Sequence, residues 1–262
     1  MNYLLALVAG AIQGLTEFLP ISSTGHLIIF QKIFHLSDAQ FGLAFDASLH
    51  LGTLLAVVLF FFKDYLKIFD FKNKLYIKLV IGTIPAVVFG LLFEKNIENN
   101  IRELWIIGLA LIAFSIVMVI AEKMSKKNKA NQMVTNKKSF IIGLAQAIAL
   151  IPGISRSGST ISAGLFLGLT REESARFAFM LSGPVIAGAG LKKFLEVLTS
   201  QTLNSQDVTF FIIGIISSFI FGYLTIKYFL KYLTSNNLYP FIAYRVILGI
   251  LLLMLPFLLS KI

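Results

Sequence analysis

Two stretches of this 262-residue chain place reactive side chains inside otherwise apolar sequence. The first, residues 13–26, reads QGLTEFLPISSTGH and brings a carboxylate, hydroxyls and an imidazole into one short segment. Gln13 and Glu17 are four residues apart and share a helix face, and Pro20 ends that helix. Polar and ionisable groups are costly in hydrocarbon and usually mark function there. The segment is therefore a candidate reaction centre.

The second stretch, residues 143–160, repeats the pattern as GLAQAIALIPGISRSGST. Its Gln146, Pro152 and Ser155 follow the corresponding residues of the first stretch at nearly constant spacing. Two Pro- and Gly-broken segments at corresponding places in an apolar chain point to a midplane site between inverted repeats.

The chemistry of both stretches favours phosphate binding. Helices that restart after a proline direct unpaired backbone N–H groups, and the positive end of the helix dipole, toward the break. Arg156 adds a planar set of donors that matches phosphate oxygens. Glu17 would repel phosphate unless a divalent cation lies between them, and Mg²⁺ is commonly held by one or two carboxylates together with substrate phosphates. Asp46 is the candidate second carboxylate.

Several of these residues have alternative roles. Ser23 and His26 lie three residues apart, share a helix face and match a nucleophile with its base, and we prefer this role for His26 to that of a buried structural histidine. Asp46 and His50 also share a face, and for His50 the structural role is preferred. Gln13 either caps broken backbone or contacts a ligand.

The composition requires a membrane protein. Hydrophobic residues make up 57% of the chain, which leaves too few polar residues to cover a soluble globule. The net charge of +10 would suit nucleic acid, but the basic residues cluster in short loops between apolar runs. Positive-inside membrane topology explains that distribution, so no nucleic-acid partner is expected.

The apolar segments predict an all-α polytopic membrane protein. Because a span needs about 20 apolar residues, residues 1–19 and 23–36 are expected to form a re-entrant hairpin with its tip near Pro20. Residues 139–151 and 160–169 are expected to form a second hairpin. Full spans are predicted at 41–62, 79–93, 104–121, 177–195, 208–227 and 240–260.

These elements divide a single membrane domain, 1–262, into two inverted repeats, each with one re-entrant helical hairpin and three transmembrane helices. The repeats cover about 1–121 and 139–262, and the loop 122–138 joins them. Lys and Arg residues are about twice as numerous on one side of the predicted membrane as on the other. Arg245 is counted on the side with fewer basic residues. The richer side, which includes the loop, is predicted to be cytoplasmic.

QGLTEFLPISSTGH resembles the first signature of the BacA-type undecaprenyl-diphosphate phosphatases, and PGISRSGSTI resembles the second. Similarity continues through GLFLGLTREESARFAFMLSGPVIAGA and covers essentially the whole chain. The resemblance implies a multi-pass hydrolase of the bacterial cell membrane that removes one phosphate from undecaprenyl diphosphate, regenerating the lipid carrier for peptidoglycan synthesis. It also implies dependence on a divalent metal, Mg²⁺ or Ca²⁺, an active site facing outward and an association with bacitracin resistance.

The residues' own chemistry and the resemblance together predict the site. In the family motifs, Ser23 matches the proposed nucleophile and His26 its partner, whereas direct attack by histidine or by activated water remains an alternative. Gln13 stands where many members have Glu, which removes a charge from that position. The predicted set comprises catalytic Glu17, Ser23, His26 and Arg156, substrate-binding Gln13, Ser22, Thr24, Ser155, Ser157 and Thr160, and Glu17 with Asp46 for the metal.

The alternative function is a transporter or flippase of polyprenyl phosphate or of another anion, because opposed re-entrant hairpins in inverted repeats are a transporter architecture. The cluster of Ser23, His26 and Glu17 discriminates the two functions, since an anion transporter has little use for a nucleophile and base beside a carboxylate. The expected partners are the polyprenyl diphosphate and the bilayer. A homodimer and a monomer are both compatible with the sequence.

Overall fold

A computed structural model describes residues 3–34, 36, 42–66, 74–100, 103–125, 133–200 and 205–259 of the protein. Within these residues the chain forms eleven α-helices and no strand. The helices are α1 (Tyr3–Phe18), α2 (Ser23–Ile33), α3 (Leu43–Phe60), α4 (Phe62–Leu66), α5 (Leu75–Asn100), α6 (Leu104–Ser125), α7 (Asn136–Ile148), α8 (Arg156–Phe166), α9 (Arg171–Ser200), α10 (Ser205–Leu233) and α11 (Tyr239–Leu259).

Several helices have the length and apolar character of membrane spans. Among the described residues, three helices are long and apolar enough to cross a bilayer, at Leu75–Phe93, Leu104–Ser125 and Val208–Leu233. Shorter apolar helices occur at Tyr3–Phe18, Phe45–Phe60 and Tyr239–Leu255. Many large apolar side chains on these helices are exposed, as a surface in contact with lipid requires. The chain is therefore a helical membrane protein.

Each polar stretch forms two short helices with a break at its proline. The break between α1 and α2 contains Pro20, and the break between α7 and α8 contains Pro152. The two segments predicted to form hairpins are thus broken helix pairs. The second one differs in detail, because α8 begins at Arg156 rather than near residue 160. Ser155 caps this earlier start, since its Oγ accepts the backbone N–H of Gly158 at 3.2 Å.

Each broken pair packs closely on a helix from the other half of the chain. Helix α1 packs on α10, and α7 packs on α5. A Cβ at Gly10 of α1 would lie 2.4 Å from the Gly214 carbonyl oxygen, and a Cβ at Gly143 of α7 would lie 2.3 Å from that of Gly82. Glycine at these positions therefore permits the close approach of the helices.

Helix α6 extends further than the sequence predicted. It continues to Ser125, so that Glu122, expected in the connecting loop, is a fully buried helical residue. Its carboxylate accepts hydrogen bonds from the Arg171 guanidinium and from the backbone N–H of Leu238. A buried carboxylate needs such partners. This ion pair joins α6 to the start of α9.

Candidate active site

Glu17 is the centre of a buried hydrogen-bond network, with only 6% of its surface exposed. Its Oε2 accepts hydrogen bonds from Ser23 Oγ at 2.5 Å and from Gln13 Nε2 at 2.9 Å. Its Oε1 accepts from Arg156 Nη2 at 2.5 Å. The partners lie on α1, at the start of α2 and at the start of α8, so both broken pairs contribute to the network.

Arg156 connects this network to α9. Its Nη1 donates to the carbonyl oxygen of Ser182 at 3.4 Å, while its Nη2 is paired with Glu17. A guanidinium has five N–H donors in a fixed fork, so donors remain for an anion beside Glu17.

A cavity of about 190 Å³ opens beside the network. Its lining residues are Glu17, Ser22, Ser23, Thr24, His50, Ala149, Leu150, Ile151, Pro152, Ser155, Arg156, Val185, Ile186 and Ala189. The lining therefore combines a charged and hydroxyl-rich part with an apolar wall. Such a cavity suits a polar head group attached to an apolar chain.

Ser22 and Ser155 hold corresponding positions immediately before α2 and α8. Each side chain accepts the backbone N–H of the residue three further on, from Gly25 at 3.4 Å and from Gly158 at 3.2 Å. Their φ angles are 74° and 75°, which is uncommon for residues other than glycine and is concentrated at functional sites. The first residues of both helices thereby line the same cavity.

The two hairpin tips, residues 19–22 and 149–155, are joined directly. The backbone N–H of Gly153 donates to Ser22 Oγ at 3.2 Å, and Ser157 Oγ donates to the Leu19 carbonyl oxygen at 2.8 Å. Gly153 has a φ of 98°, and a Cβ there would lie 2.7 Å from a backbone oxygen of α6. Only glycine fits this position without strain.

His26 does not form the predicted pair with Ser23. Its Nδ1 donates to the Ser22 carbonyl oxygen at 2.7 Å, and its Nε2 lies 2.7 Å from Tyr244 Oη. Both ring nitrogens are therefore engaged elsewhere, and His26 does not line the cavity. Ser23 donates to Glu17 instead, so the carboxylate takes the position expected of the base.

His50, for which the sequence favoured a structural role, lines the cavity. Its Nε2 lies 3.8 Å from Glu17 Oε2, and its Nδ1 lies 2.8 Å from the backbone oxygen of Asp46. Because a carbonyl oxygen only accepts, Nδ1 carries the proton and the Nε2 side faces the carboxylate. In the sequence, His50 follows Asp46 by four residues and therefore shares its helix face. The functional role was assigned to Asp46 and not to His50.

Asp46 and Glu17 are not brought together at the cavity. The Asp46 carboxylate accepts from Gln31 Nε2 at 2.8 Å and does not line the cavity. Among the described residues, no three His, Cys, Asp or Glu side chains converge as a metal-binding group. Among the described residues that line the cavity, Glu17 is the one carboxylate, so it is the residue that would hold Mg²⁺ together with substrate phosphates.

The predicted substrate-binding residues fall into two groups. Ser22, Thr24 and Ser155 line the cavity. The other three do not line it and instead bond other groups: Gln13 bonds Glu17, Ser157 bonds Leu19, and Thr160 Oγ1 donates to the Arg156 carbonyl oxygen at 2.8 Å.

Comparison with known proteins identifies the family of this chain. Residues 6–251 match the family described as Bacitracin resistance protein BacA. The chain is 44% identical over 252 residues to a protein of Thermodesulfovibrio yellowstonii named Undecaprenyl-diphosphatase, with 96% of each chain covered.

Two further relatives carry the same name. One from Chloroherpeton thalassium is 42% identical, with 97% of this chain and 96% of the relative covered. One from Mycolicibacterium smegmatis is 41% identical, with 97% of each chain covered. With a family match over nearly its whole length, this chain belongs to the BacA family of bacitracin resistance proteins.

Proposed function

We propose that this chain hydrolyses undecaprenyl diphosphate to undecaprenyl phosphate and inorganic phosphate, recycling the lipid carrier for cell-wall synthesis. The observation that carries the proposal is the position of Glu17, held between Ser23 of one hairpin and Arg156 of the other beside a partly apolar cavity. The substrate is inferred from the relatives named Undecaprenyl-diphosphatase.

Ser23 is the proposed nucleophile. Glu17 Oε2, 2.5 Å away, accepts the hydroxyl proton while Ser23 Oγ forms a bond to the terminal phosphorus. The phosphoric anhydride bond breaks, and Glu17 returns the proton to the departing undecaprenyl phosphate. The product of this first step is a phosphoserine.

Water completes the reaction. Glu17 accepts a proton from a water molecule as the water oxygen attacks the phosphorus, the bond to Ser23 breaks, and the proton passes to Ser23 Oγ. Inorganic phosphate is released and the side chains return to their initial state. Attack by water without a phosphoserine is the alternative course. For a direct attack by histidine, His50 is the histidine that lines the cavity.

The charge on the phosphate is held by groups from both hairpins. Arg156 presents its guanidinium at the cavity, and the N-terminal residues of α2 and α8 line it. Donors fixed in advance around the developing negative charge lower the barrier without reorganisation during the reaction. Arg156 and these helix termini are therefore the proposed phosphate-binding elements.

The proposal includes a divalent cation, Mg²⁺ or Ca²⁺. Glu17 is the carboxylate that would hold it together with the phosphates of the substrate, and Asp46 is left out because its carboxylate is bonded to Gln31 away from the cavity. A bound cation supplies positive charge that offsets the repulsion between Glu17 and phosphate.

The membrane setting follows from the substrate. Each CH₂ of a polyisoprenyl chain moved into water costs about 0.8 kcal/mol, so the enzyme must act on the head group at the bilayer. Leu150, Ile151, Val185 and Ile186 form the apolar wall that would contact the first isoprene units. We place the protein in the bacterial cell membrane with the cavity open to the outer face, in accord with the distribution of basic residues.

We also propose that the two halves, about 1–121 and 139–262, are inverted repeats. Two observations support this. The packing of α1 on α10 has its counterpart in the packing of α7 on α5. Ser22 and Ser155 cap α2 and α8 with the same backbone conformation. Inverted repeats place a site between their broken helices.

Phosphate release from polyprenyl diphosphate by purified protein in detergent tests the function. We expect release that requires Mg²⁺, stops with chelator and is abolished by Glu17→Ala and by Arg156→Ala. Folded wild-type protein that releases no phosphate would contradict the proposal. The same protein would then be tested in vesicles for movement of polyprenyl phosphate across the bilayer, which is the transporter alternative.

A further inference from the structure

Arg245 of α11 is a charged side chain that the proposed reaction does not use. It is 0% exposed and is among the largest fully buried side chains of the protein. Within the part of the chain that the structure describes, it forms no ion pair. Burial of an unpaired guanidinium in a membrane protein is costly, so this residue is expected to have a specific role.

The hydrogen bonds of Arg245 connect both hairpin tips to one helix. Its Nη1 donates to the carbonyl oxygen of Pro20 at 3.2 Å, and its Nη2 donates to that of Gly153 at 3.0 Å. On α6, Nη2 also donates to the Leu111 carbonyl oxygen and Nε donates to Ser115 Oγ, both at 3.3 Å. A single side chain thus joins the two breaks to α6.

The acceptors explain why a guanidinium is needed. Pro20 and Gly153 lie in the breaks, where a carbonyl oxygen lacks the N–H donor that a continuous helix would supply. Leaving such groups unpaired in a membrane costs several kcal/mol each. Arginine supplies five donors in a rigid fork, whereas lysine supplies three from one point and cannot reach acceptors on three separate segments in the same way.

We propose that Arg245 is a positioning residue of the active site, which fixes the two hairpin tips relative to each other. Pro20 lies in the chain between Glu17 and Ser23, and Gly153 lies shortly before Arg156. Fixing these two carbonyl groups therefore fixes the side chains that hold and attack the phosphate. Arg245 does not line the cavity and acts only through the tips.

This inference rests on the proposed phosphatase activity, and kinetics can separate positioning from general stability. A displacement of about 1 Å at a reaction centre can cost about 100-fold in rate. For Arg245→Lys and Arg245→Met we expect kcat per folded molecule to fall by about 10-fold to 100-fold, with Arg245→Lys the milder, and KM to change by less than about 3-fold.

Arg171→Lys is the matched control. Arg171 pairs with the buried carboxylate of Glu122, and neither residue lines the cavity. We expect this variant to lower the thermal midpoint in detergent while kcat stays at the wild-type value. Folded protein is quantified for every variant by size-exclusion chromatography and by its thermal midpoint.

The outcomes separate the two claims. A wild-type protein without phosphate release contradicts the proposed function and, with it, the role of Arg245. With an active wild type, the positioning role is overturned by folded Arg245 variants with wild-type kcat, or by an equal loss of kcat in the Arg171 control. It is also overturned if neither Arg245 variant yields folded protein, because the residue then serves the fold alone.

Discussion

Ser23 Oγ lies 2.5 Å from Glu17 Oε2 across the break between α1 and α2, and the serine donates to the carboxylate. The proline break places the two residues face to face, although they are six positions apart in the chain. The same carboxylate is paired with Arg156 from the second hairpin, so it connects the serine to the arginine.

Glu17→Gln should lower kcat by about 10²-fold to 10⁴-fold, because the amide keeps the shape of the side chain but cannot accept the proton of Ser23. Initial rates of phosphate release at saturating lipid measure this effect. Thr16→Val is the control on the same helix and should leave kcat unchanged, since Thr16 Oγ1 donates to the Ile12 carbonyl oxygen and Thr16 does not line the cavity. Near-normal turnover of folded Glu17→Gln would exclude it as the base.

Ser23→Ala distinguishes the serine from water as the nucleophile. If Ser23 attacks, the variant loses activity and the wild type yields a serine-linked phosphate when it is quenched with acid during turnover. Labelled polyprenyl diphosphate and mass spectrometry of the peptide containing Ser23 provide the measurement. Folded Ser23→Ala with kcat within about 3-fold of wild type would favour direct attack by water.

Arg156→Lys should lower kcat/KM by about 10-fold to 100-fold, because lysine presents a point charge in place of a planar fork. The guanidinium contacts Glu17 and the Ser182 carbonyl oxygen at once, which one ammonium group cannot reproduce with the same geometry. Arg176→Lys is the matched control, since Arg176 pairs with Asp64 away from the cavity. Equal kcat/KM values for the two variants would remove Arg156 from phosphate binding.

Asp46→Asn tests the composition of the metal site. Because the Asp46 carboxylate bonds Gln31 and does not line the cavity, the Mg²⁺ concentration for half-maximal activity should stay within about 3-fold of wild type. Titration of chelator-treated protein with Mg²⁺ measures it. A rise above about 10-fold would restore Asp46 as a metal ligand, as the sequence first indicated.

Gly153→Ala should destabilise the junction of the hairpin tips by about 1–3 kcal/mol, through its positive φ and through the contact of a Cβ with the backbone of α6. Thermal unfolding in detergent measures the loss. Gly188→Ala is the control, because a Cβ at Gly188 of α9 meets nothing within 4 Å. An equal thermal midpoint for the two variants would contradict the packing at Gly153.

The broken helices were accessible from the sequence because proline, glycine and small polar residues have local effects on the backbone. Pro20 and Pro152 each fall within a break, and the segments around them are helical on both sides. These effects act over a few residues and need no information about distant neighbours. The start of α8 was misplaced because the cap at Ser155 was not recognised.

The sequence could not predict which of His26 and His50 faces the cavity. His50 lies on α3, which is apolar on nearly all sides, so its sequence does not show which face meets the cavity. The rotation of α3 about its own axis depends on packing. A Cβ at Gly52 would lie 2.3 Å from the Ile215 carbonyl oxygen, so the face of α3 that carries Gly52 lies against α10. His50, two residues earlier, is then directed away from α10.

In the sequence, Arg245 was interpreted only as one of the basic residues that indicate membrane topology. It interrupts the apolar helix α11, and a charge within such a helix usually has a function. Its main acceptors are backbone carbonyl oxygens in the two breaks. Every residue has such a group, so the sequence does not show which residues accept these hydrogen bonds. The pairing of α11 with the hairpins could therefore be found only from the folded chain.

The hydrogen bond from Arg245 to Pro20 joins residues 225 positions apart. Because a protein is synthesised from its N-terminus, the first hairpin leaves the ribosome long before α11 exists. The Pro20 carbonyl oxygen therefore has no access to Arg245 until α11 has been synthesised. The junction of the two hairpin tips through Arg245 forms only after the chain between Pro20 and Arg245 has been inserted, so its assembly is late relative to that of the first hairpin.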